Sequence, residues 1–235
     1  MTKAKREFGE GPINTITNYI LCFLLSNFYF LLMNIPLVYI TIVLVANGKN
    51  PLPSGFSVIV LLCCIPIGPA VTALCSTMGK LVREKDIVVT KTFFKAYKQS
   101  FLQSVFLWAL ELIILVSAYV NLNYFVSNII SIFIYVVIIY IIIIGLYAFP
   151  IVSRFYLKSK DVLKLSIYYT FKKINITILN AATIVLAGFI SSKISVFASL
   201  FIMSITCYII MYNLQKVLPE IEEKIQSDNT KLNLS

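Results

Sequence analysis

The sequence predicts an all-α, polytopic membrane protein with six transmembrane helices, two short amphipathic cytoplasmic helices, and both termini inside. Three observations carry this. The chain is 59% hydrophobic and only 13% charged, too little polar surface to cover a soluble domain of 235 residues. Its apolar residues gather in runs of the ~20 residues needed to cross a hydrocarbon core. Eighteen of its twenty Lys and Arg residues fall in alternate gaps between those runs, Lys49 and Lys193 being the exceptions. Cationic gaps resist translocation and stay inside, so the alternation orients every span.

The first apolar run covers about 16–46. It is longer than a signal-peptide core and is expected to remain as an anchor. Asn34-Ile35-Pro36 interrupts it, and an internal proline removes a helical N–H, so a kink is expected near Ile35. Turn residues at 47–55 form an outer loop. A second span at about 56–79 contains Pro66-Ile67-Gly68-Pro69-Ala70. Two prolines and a glycine free backbone carbonyls and allow close helix approach, either as the broken helix of a binding site or as a plain kink. Further spans follow at about 101–122, 126–151, 174–192 and 195–214. Short gaps at 121–123 and 191–193 make spans three–four and five–six antiparallel hairpins. The organisation is one membrane domain, 1–215, and a short polar cytoplasmic tail, 216–235, whose carboxylates at Glu220, Glu222 and Glu223 lie on a solvated helix.

The two long inner gaps resemble each other. Lys85-Asp86-Ile87 recurs as Lys160-Asp161-Val162, Phe93-Phe94 as Tyr168-Tyr169, and Lys98 as Lys173, always 75 residues apart. This reads as a weak parallel repeat or as two basic loops alike by chance. Asp86 and Asp161 are placed to cap two short helices, since a carboxylate there accepts backbone N–H bonds and suits the dipole. In the first, Val89, Phe93, Phe94 and Tyr97 share one side and Lys91, Lys95 and Lys98 the other, so the helix should lie along the inner surface against anionic lipid. Val162, Leu165 and Tyr169, with Lys164, Lys172 and Lys173, make a looser version. Arg154 reads as an interfacial anchor.

Glu111 is the one acidic residue well inside a hydrophobic span, where a charge costs on the order of 2.5–3.5 kcal/mol. It must face a cavity, meet a partner, or carry a proton. Ser104, Glu111 and Ala118 recur every seven residues and mark a stripe toward the bundle interior. Two readings stay open: a proton- or cation-linked site, or a neutral acid hydrogen-bonded to an Asn or Tyr of a neighbouring span.

Other chemistry is absent from the pattern. The chain has no His, and Cys22, Cys63, Cys64, Cys75 and Cys207 lie inside apolar segments without metal or redox spacing, so they read as small packing residues. Nucleophile-elbow, zinc-protease and P-loop motifs are missing. No catalytic residue, cofactor or metal is expected. The formal charge of +10 sits at helix ends on one side, which is the positive-inside pattern rather than a nucleic-acid surface.

Several stretches together resemble the YesL family of bacterial integral membrane proteins. They are Glu10-Gly11-Pro12, Asn27 leading to Asn34-Ile35-Pro36, Ile65-Pro66-Ile67-Gly68-Pro69-Ala70-Val71-Thr72-Ala73-Leu74, Lys80-Leu81-Val82-Arg83, and Thr92-Phe93-Phe94-Lys95-Ala96-Tyr97-Lys98-Gln99-Ser100-Phe101. The likeness covers the first half of the chain and continues in the second only as hydropathy. Here Pro36 and Pro66 are separated by an extra loop, which departs from the family pattern and leaves the register of the first two spans open. The resemblance implies a bacterial cytoplasmic-membrane protein of unknown function whose relatives often accompany sugar-uptake ABC transporters. It assigns no ligand residues.

Two functions follow as expectations. One is a non-enzymatic accessory or scaffold subunit linked to carbohydrate uptake, with ABC transporter subunits as partners engaged through the inner helices. The other is a small proton- or cation-linked transporter or channel, resting on Glu111, the broken second span and the weak repeat. Between them they make Pro66, Gly68, Pro69, Asp86, Phe93, Phe94, Lys95, Glu111 and Asp161 the candidate residues. Scarce intramembrane charge favours the first.

Overall fold

The computed structural model describes residues 12–48, 53, 55–124, 128–193 and 196–233. Lys3, Lys5, Arg6, the Glu10-Gly11 step, Lys49 and most of the outer loop lie outside them. Every regular element among the described residues is helical: α1 (Pro12–Met33), α2 (Ile35–Asn47), α3 (Phe56–Cys63), α4 (Ile67–Glu84), α5 (Val89–Tyr124), α6 (Asn128–Arg154), α7 (Ser159–Lys172), α8 (Ile174–Lys193), α9 (Val196–Asn213) and α10 (Val217–Asn233), the last preceded by a 3-10 turn at Leu214–Lys216. Five stretches among the described residues are long and apolar enough to cross a membrane: Ile16–Met33, Phe56–Glu84, Val89–Leu122, Ile129–Arg154 and Ile174–Lys193. Their outer faces carry large bare side chains, with Leu102 and Ile129 each 81% exposed. So much apolar surface suits lipid rather than water.

The long first run divides into two helices. Pro36 cannot donate an N–H, and Asn34 takes up the slack at the break. Its side-chain amide donates to Phe30 O at 2.8 Å, and its own carbonyl accepts from Val38 N at 3.0 Å. A second break separates α3 from α4 at Cys64-Ile65-Pro66. There the Cys64 carbonyl accepts the backbone N–H of Ile67 at 3.2 Å and the indole N–H of Trp108 at 2.8 Å. A neighbouring helix thus adds a side-chain donor at the break in the span.

The core forms where α4, α5, α6 and α9 meet and where α7 and α10 close the end of the bundle. Leu74, Met78, Phe93, Tyr147, Tyr169, Val217, Leu218 and Ile221 are all fully buried. Cys75 and Cys207 face each other at 3.9 Å between α4 and α9, as free packing thiols.

Several expectations require correction. The first amphipathic helix is not a separate element, because α5 runs unbroken for 36 residues through both the cationic gap and the third span. Its sequence holds no Gly or Pro, and a change from polar to apolar composition does not by itself break a helix. Asp86 is not an N-cap: it lies in the extended link before α5, which starts at Val89. Asp161 is not one either. The cap of α7 is Lys158, and Asp161 sits in the first turn, where it still favours the dipole. The repeat loses its register, since Phe93 and Tyr169 are the buried aromatics whereas Phe94 and Tyr168 are exposed. Arg154 is no simple anchor but pairs with Glu222 at 2.8 Å. The expected polar tail begins as a docked helix, with Val217, Leu218 and Ile221 in the core. Its hydrophobic residues recur at i, i+1 and i+4, a pattern the cluster of carboxylates obscured.

One contact bears on topology. Tyr29 of α1 hydrogen-bonds to Thr90 at 2.8 Å, and its ring meets Phe93 and Phe94. The later part of α1 therefore packs on the first turns of α5, which the charge pattern assigns to the inner side.

Candidate functional site

Two cavities concentrate the residues of interest. The first lies beside the α4–α5 seam. At Gly68 the helices touch so closely that a Cβ would stand 2.5 Å from Trp108 Cβ and 2.8 Å from the Ser104 carbonyl oxygen. Gly68, Pro69 and Ala70 are buried there. Ser104 donates to Thr72 Oγ1 at 2.8 Å, and Thr72 donates back to Gly68 O at 3.0 Å. The motif expected to bend the second span thus also sets its packing distance.

Next to this seam is a cavity of about 470 Å³ between α4, α5, α6, α8 and α9. Ile67, Trp108, Phe149, Ile184 and Met203 line it, and Glu111 is the one ionisable carboxylate on its wall. Glu111 is half-buried, with Ser104 and Ala118 of the same stripe fully packed above and below it. Its carboxylate rests on Gly145, where a Cβ would lie 2.5 Å from Oε1. The expected Asn or Tyr partner is not there: among the described residues Glu111 makes no hydrogen bond or ion pair. The acid faces space left by a glycine rather than a donor.

The second cavity is a cleft of about 600 Å³ at the end of the bundle that the charge pattern assigns to the inner side. Lys80 comes from α4, Lys91 and Lys95 from α5, and Arg154 from the end of α6, with Asp86 as the one carboxylate on the wall. Glu84 pairs with Lys80 at 3.5 Å and Glu222 with Arg154 at 2.8 Å, whereas Lys91 and Lys95 have no ion-pair partner among the described residues. Neutral groups hold the rim: Tyr156 donates to Gln99 Oε1 at 3.0 Å, and Gln103 donates to Leu157 O at 2.8 Å.

Beside the cleft, α10 is fastened to α7. Glu220 pairs with Lys172 and with Lys173, the latter at 2.8 Å. The hydrogen bond from Lys172, then that from Lys173, holds the Glu220 carboxyl below the ordinary carboxylate value. A lowered carboxyl pKa means stability that is complete above the ordinary range and is lost as pH falls through the lowered value. Amide protection over α10 is therefore expected to hold at neutral pH and to drop on acidification. Glu220→Gln should flatten that pH step, and an identical step in the variant would refute the assignment.

The candidate residues thus separate. Glu111 lines the cavity, Gly68 forms the seam, Pro69 is buried beside it in α4, and Asp86 and Lys95 belong to the cleft, whereas Pro66 stands at the break just before α4. Phe93 is a core residue, Phe94 sits at its edge, and Asp161 lines neither cavity. Sequence reasoning missed Trp108 and Gly145. Trp108 stands on the Ser104–Glu111 stripe, and Gly145 is the sole small residue in a run of Ile, so both carried a signal. It also missed Ser26 and Asn27, which are buried in α1 with oxygen atoms lacking partners.

A bundle of helices long and apolar enough to cross a membrane, with a cavity between them, fits the class of helical membrane proteins. Within it, residues 23–122 match the family described as protein of unknown function, DUF624. That segment is less than half of the chain and includes the seam, Glu111 and the α5 side of the cleft. No curated protein and no solved structure matches the chain.

Proposed function

We propose that this chain is a six-span, non-enzymatic accessory or scaffold subunit of a bacterial cytoplasmic membrane, linked to carbohydrate uptake by ABC-type transporters. In this reading α9 is the sixth span and both termini are inside. The YesL resemblance of the first half supplies the uptake link, and the match over residues 23–122 is consistent with it.

The observation that favours a docking role is the way α7 is held. Val162, Ser166, Tyr169 and Thr170 bury one side, and the Glu220 ion pairs fix α10 against it. The opposite side presents Lys164, Ile167 and Phe171, the last 65% exposed. A fixed helix with mixed cationic and apolar exposure fits a groove on a partner subunit. Ile167→Ser is expected to reduce co-purification of transporter subunits in mild detergent while leaving the melting temperature unchanged; Phe171 is left in place because its ring meets Tyr140 of α6 at 5.9 Å. Undiminished co-purification would argue against this face.

Topology has its own test. Lys49→Cys and Lys193→Cys should label from outside intact cells, whereas Lys95→Cys and Lys164→Cys should stay protected. The Tyr29–Thr90 contact pulls against a simple outward first crossing, so the result at position 49 is the sensitive one. Labelling of position 95 from outside would overturn the six-span arrangement.

The alternative is a proton- or cation-linked transporter. The lone carboxylate of Glu111 on a cavity wall favours it, and the lack of a second acidic or basic side chain among the residues lining that cavity weighs against it.

A further inference from the structure

We propose that the inner cleft is a binding site for a phosphate group. Keeping a gap inside requires cations somewhere in it, but not their convergence on one cavity. Lys80, Lys91, Lys95 and Arg154 arrive from three separate helices and share one wall of about 600 Å³, while Lys98, Lys158 and Lys160 of the same gaps do not line it. Glu84 and Glu222 pair with Lys80 and Arg154, which leaves Lys91 and Lys95 facing the one carboxylate on the wall, Asp86, so the cleft keeps a net positive charge that a bound oxyanion would offset.

The chemistry selects phosphate over a carboxylate or a simple halide. Lys91 and Lys95 stand one helical turn apart, without acid partners among the described residues, and can approach different oxygens of one tetrahedral group. Gln99 accepts from Tyr156 through its oxygen, which leaves its amide N–H groups as donors, and Ser76 adds a hydroxyl on the α4 side. The volume exceeds that of a bare anion, so the phosphate would carry an organic body. A soluble phosphomonoester and a lipid headgroup both present that chemistry. The proposal does not rest on the accessory reading, since a transporter could hold the same ligand.

The full-length protein would be purified into phosphatidylcholine nanodiscs and titrated calorimetrically with glycerol 3-phosphate. In parallel, retention of phosphatidic acid would be followed by native mass spectrometry. Lys91→Gln/Lys95→Gln is compared with Lys158→Gln/Lys160→Gln, which removes the same charge outside the cleft. Melting temperatures verify that both variants fold. Binding is expected to weaken about tenfold in the cleft variant and to stay near wild type in the control. Loss seen with glycerol 3-phosphate supports the proposal and assigns a soluble ligand. Loss seen only with phosphatidic acid supports it and assigns a headgroup. Absence of binding in both arms, or equal loss in the two variants, overturns it.

Discussion

Gly68→Ala is expected to destabilise the protein by roughly 1–3 kcal/mol, although alanine is the better helix former by about 1 kcal/mol. The added methyl would overlap Trp108 Cβ and the Ser104 carbonyl, and one of these is backbone that cannot rotate away. To relieve the overlap α4 and α5 must separate, which also strains the Trp108 bond to the Cys64 carbonyl. Gly188→Ala is the control, because nothing lies within 4 Å of its Cβ position. Detergent melting should show a clear loss at position 68 and none at 188. Equal effects would mean that the seam is not the packing determinant described.

Glu111→Leu is expected to stabilise the protein, by on the order of 1–3 kcal/mol, because it removes a polar group that has no partner in an apolar cavity. A hydrogen-bonded Glu111 would give the opposite sign, since leucine would strand the partner. Glu111→Gln keeps the shape and one acceptor and should leave stability nearly unchanged. Melting of the three proteins side by side reads both expectations. Destabilisation by leucine would show that the carboxylate is held by a donor in the membrane.

The helical class and the order of apolar segments were legible in hydropathy and charge, because both are written residue by residue along the chain. So were the breaks at Pro36 and Pro66, since proline acts locally. What escaped was tertiary. The closure of the Pro66 break by Trp108 depends on a residue 44 positions away. The seat of Glu111 depends on Gly145 of another helix. The docking of α10 depends on Arg154, Lys172 and Lys173, cations whose positive-inside role already explained their presence. The inner cleft was hidden for the same reason: Lys80, Lys91, Lys95 and Arg154 were each visible as topology signals, and only the fold shows them sharing a wall. The continuity of α5 was misjudged because composition was taken as a boundary where the backbone has none.

Proton flux is the most direct test of the accessory reading against transport. Purified wild type and Glu111→Gln would be placed in liposomes without partner subunits, under an imposed pH gradient and with a reporter dye inside. A subunit without transport activity of its own leaves the gradient decaying at the rate of empty liposomes in both cases. Faster decay with wild type, abolished in a fully folded Glu111→Gln variant, would contradict the accessory reading and make the cavity a conduction site.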